Sequence, residues 1–301
     1  MLSSLNPAAQ QFLTNLTQIN NRLAQAELQV SSGLKISQVS DAPNSIALLL
    51  QADANLSATK QTLSNLGQTK SEVDAGEQAL QTAVGIFDHV QTLAAEGNTD
   101  TQTAAGRASI AQQLNSLLQE MVGLAGTNIG GRYIFAGNSD QQIPYIYTAG
   151  AANPVSAYLG SASTRVAQYP NGTTFPVALT AQQIFDSPDP TTNVFSSIQN
   201  LSAALQSNNS AAIATAVDGL SKVGSYLNDQ LAFYGNAQNK VADATNFGNT
   251  LEVQLQTQIS SLRDADLSQA ILSMTQDQTQ QQAALQSEAK LPRSTLFDFL
   301  A

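Results

Sequence analysis

The chain has 301 residues, a net charge of −10 and no cysteine, and only 11% of its residues are charged, against roughly 25% in ordinary soluble proteins. The missing thiols exclude disulfides, thiol catalysis and cysteine-based metal sites. Twelve scattered basic residues form no stripe able to hold a phosphate backbone or an anionic membrane surface, so neither nucleic acid nor a lipid surface is an expected partner.

Glutamine, asparagine, serine and threonine stand where charge would be, so polar faces can pack on one another with little repulsion, which suits dense self-assembly. Nothing reads as a basic n-region followed by an apolar h-region, and no run of 18 apolar residues occurs. Neither a cleaved secretory signal nor membrane insertion is therefore expected.

The first thirty residues carry an unbroken heptad. Leu2, Leu5, Ala9, Phe12, Leu16, Ile19, Leu23, Ala26 and Val30 are spaced three and four apart, which puts one narrow apolar seam on a helix and demands a partner. The helix is predicted to end at Ser31-Ser32-Gly33, with Gly33 as C-cap. After the connector Leu34–Val39, Ser40-Asp41-Ala42-Pro43 reads as a helix start, with an Asp cap and Pro in the first turn.

A second helix is predicted over about 42–96, with Val73, Leu80, Phe87 and Ala94 seven apart. A third runs from Thr101 to about Gly126, with Ile110, Leu114, Leu117, Met121 and Leu124 in heptad spacing. Character then changes: six of nine prolines fall between 144 and 190 and five of seven tyrosines between 133 and 169. Phe175, Val177 and Leu179 alternate, and Pro170-Asn171-Gly172-Thr173 is a hairpin turn signal. Helix returns from about 192 to 208, from 210 to 263 and from 267 to 290. The last of these has Leu267, Ile271, Met274, Gln278, Gln281 and Leu285 in heptad positions. Pro292 closes it, and an apolar tail follows with Leu296, Phe297, Phe299 and Leu300.

The expected fold is mainly α with an inserted β-rich domain, an elongated rod of long antiparallel coiled-coil helices built from both chain ends. Its parts are a core segment 1–40, a rod segment 41–131, a small β-rich outer domain 132–191, a returning rod segment 192–262 and a second core segment 263–301. The heptad residues of both ends, with the apolar tail, are the candidate interface residues.

No convergent catalytic set is apparent. His89 is the single histidine and follows Phe87 on a helical heptad. The glycine-rich stretch 126–132 lacks the Gly-Lys-Ser/Thr ending of a phosphate loop. Asp186 and Asp189 lie in a proline turn without the ligand spacing of a calcium cage. The chain reads as a non-enzyme with no cofactor and no metal.

Ser31-Ser32-Gly33-Leu34-Lys35-Ile36, followed by Ser40-Asp41-Ala42-Pro43-Asn44, closely resembles the motif after the first helix of bacterial flagellins and their relatives. The resemblance covers roughly 1–135 and 192–301. It resumes at Tyr234-Gly235-Asn236-Ala237-Gln238-Asn239-Lys240-Val241 and at Leu262-Arg263-Asp264-Ala265-Asp266. Within that family, Gly131-Arg132-Tyr133-Ile134-Phe135-Ala136-Gly137 is similar to the opening of the middle domain of the hook–filament junction members. Asn193-Val194-Phe195 and the tail Ser294–Leu300 are similar to theirs as well, although Asn193 stands where Asp is usual.

The resemblance implies a structural subunit exported through the flagellum by its type III apparatus without a cleaved signal, and therefore extracellular. It implies assembly as a homo-oligomeric ring between hook-associated protein 1 and flagellin, with an export chaperone on the C-terminal region. It also marks Ser32, Gly33, Leu34, Asp41, Pro43, Gly131, Tyr133, Phe135 and Gly137 as motif positions. Filament flagellin itself, or a cytosolic coiled-coil adaptor of the export system, are the alternatives.

Overall fold

A computed structural model describes residues 7–38 and 41–290. Leu2 and Leu5 of the first seam, and Leu296, Phe297, Phe299 and Leu300 of the tail, lie outside the described residues. The elements in order are α1 (Pro7–Ser32), α2 (Pro43–Gly97), α3 (Ala104–Ala125), β1 (Asn128–Ile129), β2 (Arg132–Tyr133), β3 (Val166–Gln168), β4 (Thr174–Pro176), α4 (Ala181–Phe185), α5 (Val194–Gln206), α6 (Ser210–Arg263) and α7 (Leu267–Lys290). The third helix starts at Ala104 rather than Thr101, because the Thr103 side chain accepts the N–H of Gly106 and caps it there. The chain divides into two compact units, residues 1–57 with 252–301, and residues 58–251.

The 58–251 unit holds the main core. The heptad residues Val73, Leu80, Phe87 and Ala94 of α2 are all buried, as are Ile110, Leu114, Leu117 and Met121 of α3. Each large apolar side chain so buried contributes roughly 1.5–3 kcal/mol. From α6, Leu220, Leu227, Tyr234 and Val241 complete the same cluster. The Tyr234 hydroxyl is not stranded there, since it accepts the N–H of Leu179 at 3.2 Å, and burial pushes its pKa well above the usual phenol value.

The inserted segment holds less strand than its alternation implies. β1 pairs with β2 and β3 with β4, each antiparallel, in two separate two-stranded sheets. Prolines lack the N–H a ladder needs, and most of the segment is turn, bend or irregular backbone. The Asn171-Gly172 turn does form the β3–β4 hairpin, in register Val166 to Pro176 and Gln168 to Thr174.

The segment also has no core of its own. Phe135, Tyr145, Phe175 and Phe185 belong to the helical cluster. Phe135 meets Phe185 and Tyr234 edge-on at 6.2 and 6.1 Å, and Phe185 stacks on Phe195 at 5.6 Å.

Two polar groups lock this unit. Arg107 is buried, and no carboxylate is among its hydrogen-bond partners. Its Nε donates to Gly97 O at 3.0 Å, one terminal nitrogen to Thr99 O at 3.1 Å and the other to Asn208 Oδ1 at 2.7 Å. The guanidinium thus satisfies carbonyls at the C-terminal end of α2, where the helix dipole favours a cation.

Asn193 caps α5 by accepting Ser196 N–H, while its amide donates to Asp186 Oδ1 and Ser187 O, each at 2.9 Å. The amide explains the departure from Asp, which cannot donate to a neighbouring carboxylate. Asn193→Asp keeps a good cap yet sets two carboxylates together. It is expected to cost about 1–3 kcal/mol at neutral pH, with recovery in urea titrations as pH falls and one carboxylate takes a proton.

Candidate assembly surface

In the unit formed by residues 1–57 and 252–301, α1 and α7 run antiparallel. Asn20 Oδ1 accepts from Gln281 at 2.8 Å, while Arg22 reaches the earlier residues Asp277, at 2.9 Å, and Gln280, also at 2.9 Å. On α1 the predicted seam faces the partner helix: Ala26 is buried and Phe12, Leu16, Ile19, Leu23 and Val30 are half-buried.

On α7 the packed face differs from the expected one. Ala270 and Asp277 are buried, with Met274, Gln281 and Ala284 half-buried. Leu267, Ile271 and Leu285 remain 48, 47 and 50% exposed. At about 100° per residue these three lie roughly 60–100° round the helix from the packed face. The physical reason is Asp277: a carboxylate bonded to Arg22 occupies the centre of the seam, and the leucines of the apolar heptad stand to one side.

Exposed large apolar side chains concentrate in this unit. Leu13, Leu28, Leu48, Leu50, Val253, Leu267, Ile271, Leu272 and Leu285 are there, against Ile143, Ile146, Val166 and Phe247 in the other. Its own buried cluster is small: Leu49, Ala52 and Ile259, with Ile46, Leu56 and Leu262 against them.

The motif after α1 closes the helix pair. Ser32 Oγ donates to Leu28 O at 2.6 Å and accepts the N–H of Leu34 at 3.2 Å. Gly33 has φ of +71°, the left-handed C-cap conformation glycine adopts without strain. Leu34 bridges to Asp264. Lys35 N–H donates to Arg263 O at 2.6 Å and Ala265 N–H to Gly33 O at 2.9 Å.

Asp41 does not cap α2 as expected, although Pro43 does open that helix. Its carboxylate reaches back into the connector and accepts from Gln38 N–H at 2.8 Å, Ser37 N–H at 2.9 Å and Ser37 Oγ at 3.0 Å. The Gln38 and Ser37 amides, then the Ser37 hydroxyl, hold the carboxyl below its ordinary range. The contribution of a carboxyl so lowered is complete above the ordinary range and is lost as pH falls through the lowered value. Hydrogen exchange at the Ser37 and Gln38 amides should therefore stay slow through mild acid and accelerate only below the usual aspartate titration, whereas Asp41→Ala should be unprotected at every pH.

The second motif lies in the other unit. Gly131 ends the tight turn between β1 and β2. Tyr133 is half-buried, and its N–H donates to Asp140 O at 2.7 Å. Phe135 is fully buried. Gly137 has φ of +63°, and a Cβ there would lie 2.2 Å from Ser161 O, so only glycine fits.

Around this motif Glu72 of α2 holds two arginines: Arg165 at 2.6 Å and, more loosely, Arg132 at 3.6 Å. Arg132 also binds Asp140 at 2.6 Å and keeps that carboxyl below its ordinary range. Sequence reasoning did not single out Glu72, Arg107 or Asp277, which carry the polar order of both units.

Chemistry beyond packing is sparse. Among the described residues no cluster of three metal-ligating side chains occurs, and no helix is long and apolar enough to cross a membrane. His89 is exposed. A cavity between α5 and α6 is lined by Ala204, Ala212, Ala216 and Gly219, with Asp218 and Lys222 at its edge, a lining that brings no acid–base set together.

Residues 4–140 match the family model of the bacterial flagellin N-terminal helical region, and residues 211–300 that of the bacterial flagellin C-terminal helical region. A flagellin of Clostridium tyrobutyricum is 28% identical over 127 residues, 42% of this chain and 34% of the relative. The match thus spans about a third of that flagellin's length.

Among solved structures, flagellar hook-associated protein-3 of Legionella pneumophila superposes with a TM-score of 0.61 at 12% identity, covering 72% of this chain and 98% of that one. FlgL of Xanthomonas campestris does so with a TM-score of 0.58 at 20% identity, covering 70% and 99%. Those likenesses show a shared fold. With both terminal helical regions matched in order, over most of its length, the chain belongs to the bacterial flagellin family.

Proposed function

We propose that the chain is a structural, non-catalytic subunit of the bacterial flagellum that forms the junction ring between the hook side, through hook-associated protein 1, and the flagellin filament. The observation that carries the assembly reading is the crowd of exposed apolar residues on the unit formed by the two chain ends. Among the described residues Leu267, Ile271 and Leu285 stay about half exposed, and a neighbouring copy with the same helices offers a matching apolar surface.

The fold shared with the hook-associated structures, which the chain covers over 98 and 99% of their length, supports the junction reading. On this reading the subunit leaves the cell through the flagellar export channel and reaches it with the help of a chaperone that shields the C-terminal helix.

Deletion of the gene tests the proposal. Loss of attached filaments with flagellin monomer released into the medium is the expected phenotype. Purified chain that grows long filaments on flagellin seeds would make it a filament subunit instead, and chain found only in cytosol, never in sheared flagella, would make it an adaptor.

A further inference from the structure

We propose that Asn171, at the tip of the β3–β4 hairpin, is a site of spontaneous intramolecular deamidation. It precedes Gly172 in the only Asn-Gly step of the sequence, and Asn171, Gly172 and Thr173 are all exposed.

The turn is arranged for the reaction. Asn171 Oδ1 accepts the backbone N–H of Thr173 at 3.0 Å and the Thr173 hydroxyl at 2.7 Å. This Asx-turn folds the side chain forward along the backbone that holds Gly172. The same two donors sit on the oxygen that gains negative charge when the nitrogen of Gly172 adds to Cγ, as donors do in an oxyanion hole. Gly172 has no Cβ to obstruct the approach.

The step balances without any cofactor. The Gly172 N–H gives its proton to water, the N–Cγ bond forms, water returns a proton to Nδ2, the Cγ–Nδ2 bond breaks and ammonia leaves. Water then opens the cyclic imide at either carbonyl, leaving aspartate or isoaspartate.

One bond opposes it. Gly172 N–H donates to Tyr169 O at 2.9 Å and must let go first. Strands of three residues each make such opening inexpensive, since short hairpins sit at the low end of local stability. Each event adds one negative charge to a tip that carries none and takes the chain's net charge from −10 to −11. An isoaspartate product also lengthens the backbone at the turn. The inference is independent of what the chain assembles with.

Incubating the full-length folded chain in mildly alkaline buffer at physiological temperature, followed by peptide mapping, tests it. The expected result is a gain of about one dalton that accumulates first on the peptide carrying Asn171 and resolves into aspartyl and isoaspartyl forms, with Asn171→Asp as the standard for the former. Thr173→Val, which removes the hydroxyl donor and keeps the turn's backbone bond, should slow the reaction about threefold or more. Equal or faster gain at other asparagines, an unmodified Asn171, or an unchanged rate in Thr173→Val would overturn the proposal.

Discussion

Replacing Arg107 by methionine is expected to lower the melting temperature of the 58–251 unit by roughly 5 °C or more. Methionine keeps much of the volume and removes all three hydrogen bonds. The buried carbonyl of Gly97 would lose its donor at about 1–3 kcal/mol, while Thr99 and Asn208, which are exposed, would lose theirs at smaller cost because water can replace them. A total of roughly 2–4 kcal/mol is expected. In a unit of this size each kcal/mol moves Tm by about 2–4 °C.

Asn208 adds to the effect, because it holds a positive φ of 49° and loses the partner that fixes its side chain. Arg107→Lys should recover little, since one ammonium does not span three acceptors in a fork. Thermal denaturation of the full chain followed by circular dichroism reads the effect. A shift of about 2 °C or less for Arg107→Met would mean that water replaces the guanidinium at no cost.

The second large effect is on assembly. Ile271→Asp should leave the stability of the isolated chain within about 0.5 kcal/mol, as surface substitutions do, because Ile271 is 47% exposed and off the packed face of α7. It should cut incorporation into flagella at least tenfold, about 1.4 kcal/mol of lost association, since a carboxylate would have to be desolvated against an apolar neighbour. Leu23→Asp provides the contrast: Leu23 is half-buried against α7, so both the α1–α7 pairing and incorporation should suffer. Chemical denaturation and quantification of the chain in sheared flagella separate the two. Equal damage to folding and incorporation by Ile271→Asp would show that its side chain is already used within the monomer.

The helices were legible because apolar spacing of three and four residues leaves a strong mark, and Val73, Leu80, Phe87 and Ala94 fill the core where that spacing puts them. The packed face of α7 was not. Asp277 reads as an outward residue, and nothing local says that an arginine 255 positions earlier will pull it inward. The backward reach of Asp41 escaped for a similar reason: an Asp before Pro looks like a helix cap whichever way its side chain turns.

Arg107 left a trace that went unread. It stands three residues before Ile110 and seven before Leu114, on the seam that the heptad of α3 defines, and a cation on a seam needs a buried partner. The insertion was hardest, since Phe135 finds Tyr234 on α6, far away in sequence, and Phe175 and Phe185 join the same helical cluster.

That last feature bears on how this protein can be altered. An insertion whose aromatics complete the helical core is not a cassette: exchanging 132–191 for a relative's segment would open a hole under α2 and α6 unless Phe135, Tyr145, Phe175 and Phe185 came across together. Room for foreign sequence exists elsewhere. Residues 148–153 are all exposed, and the Tyr147–Val155 bridge with Thr148 N–H on Pro154 O at 2.7 Å closes their base. Epitopes or tags spliced into that loop would leave the base intact, because exposed loop tips tolerate added chain at little cost.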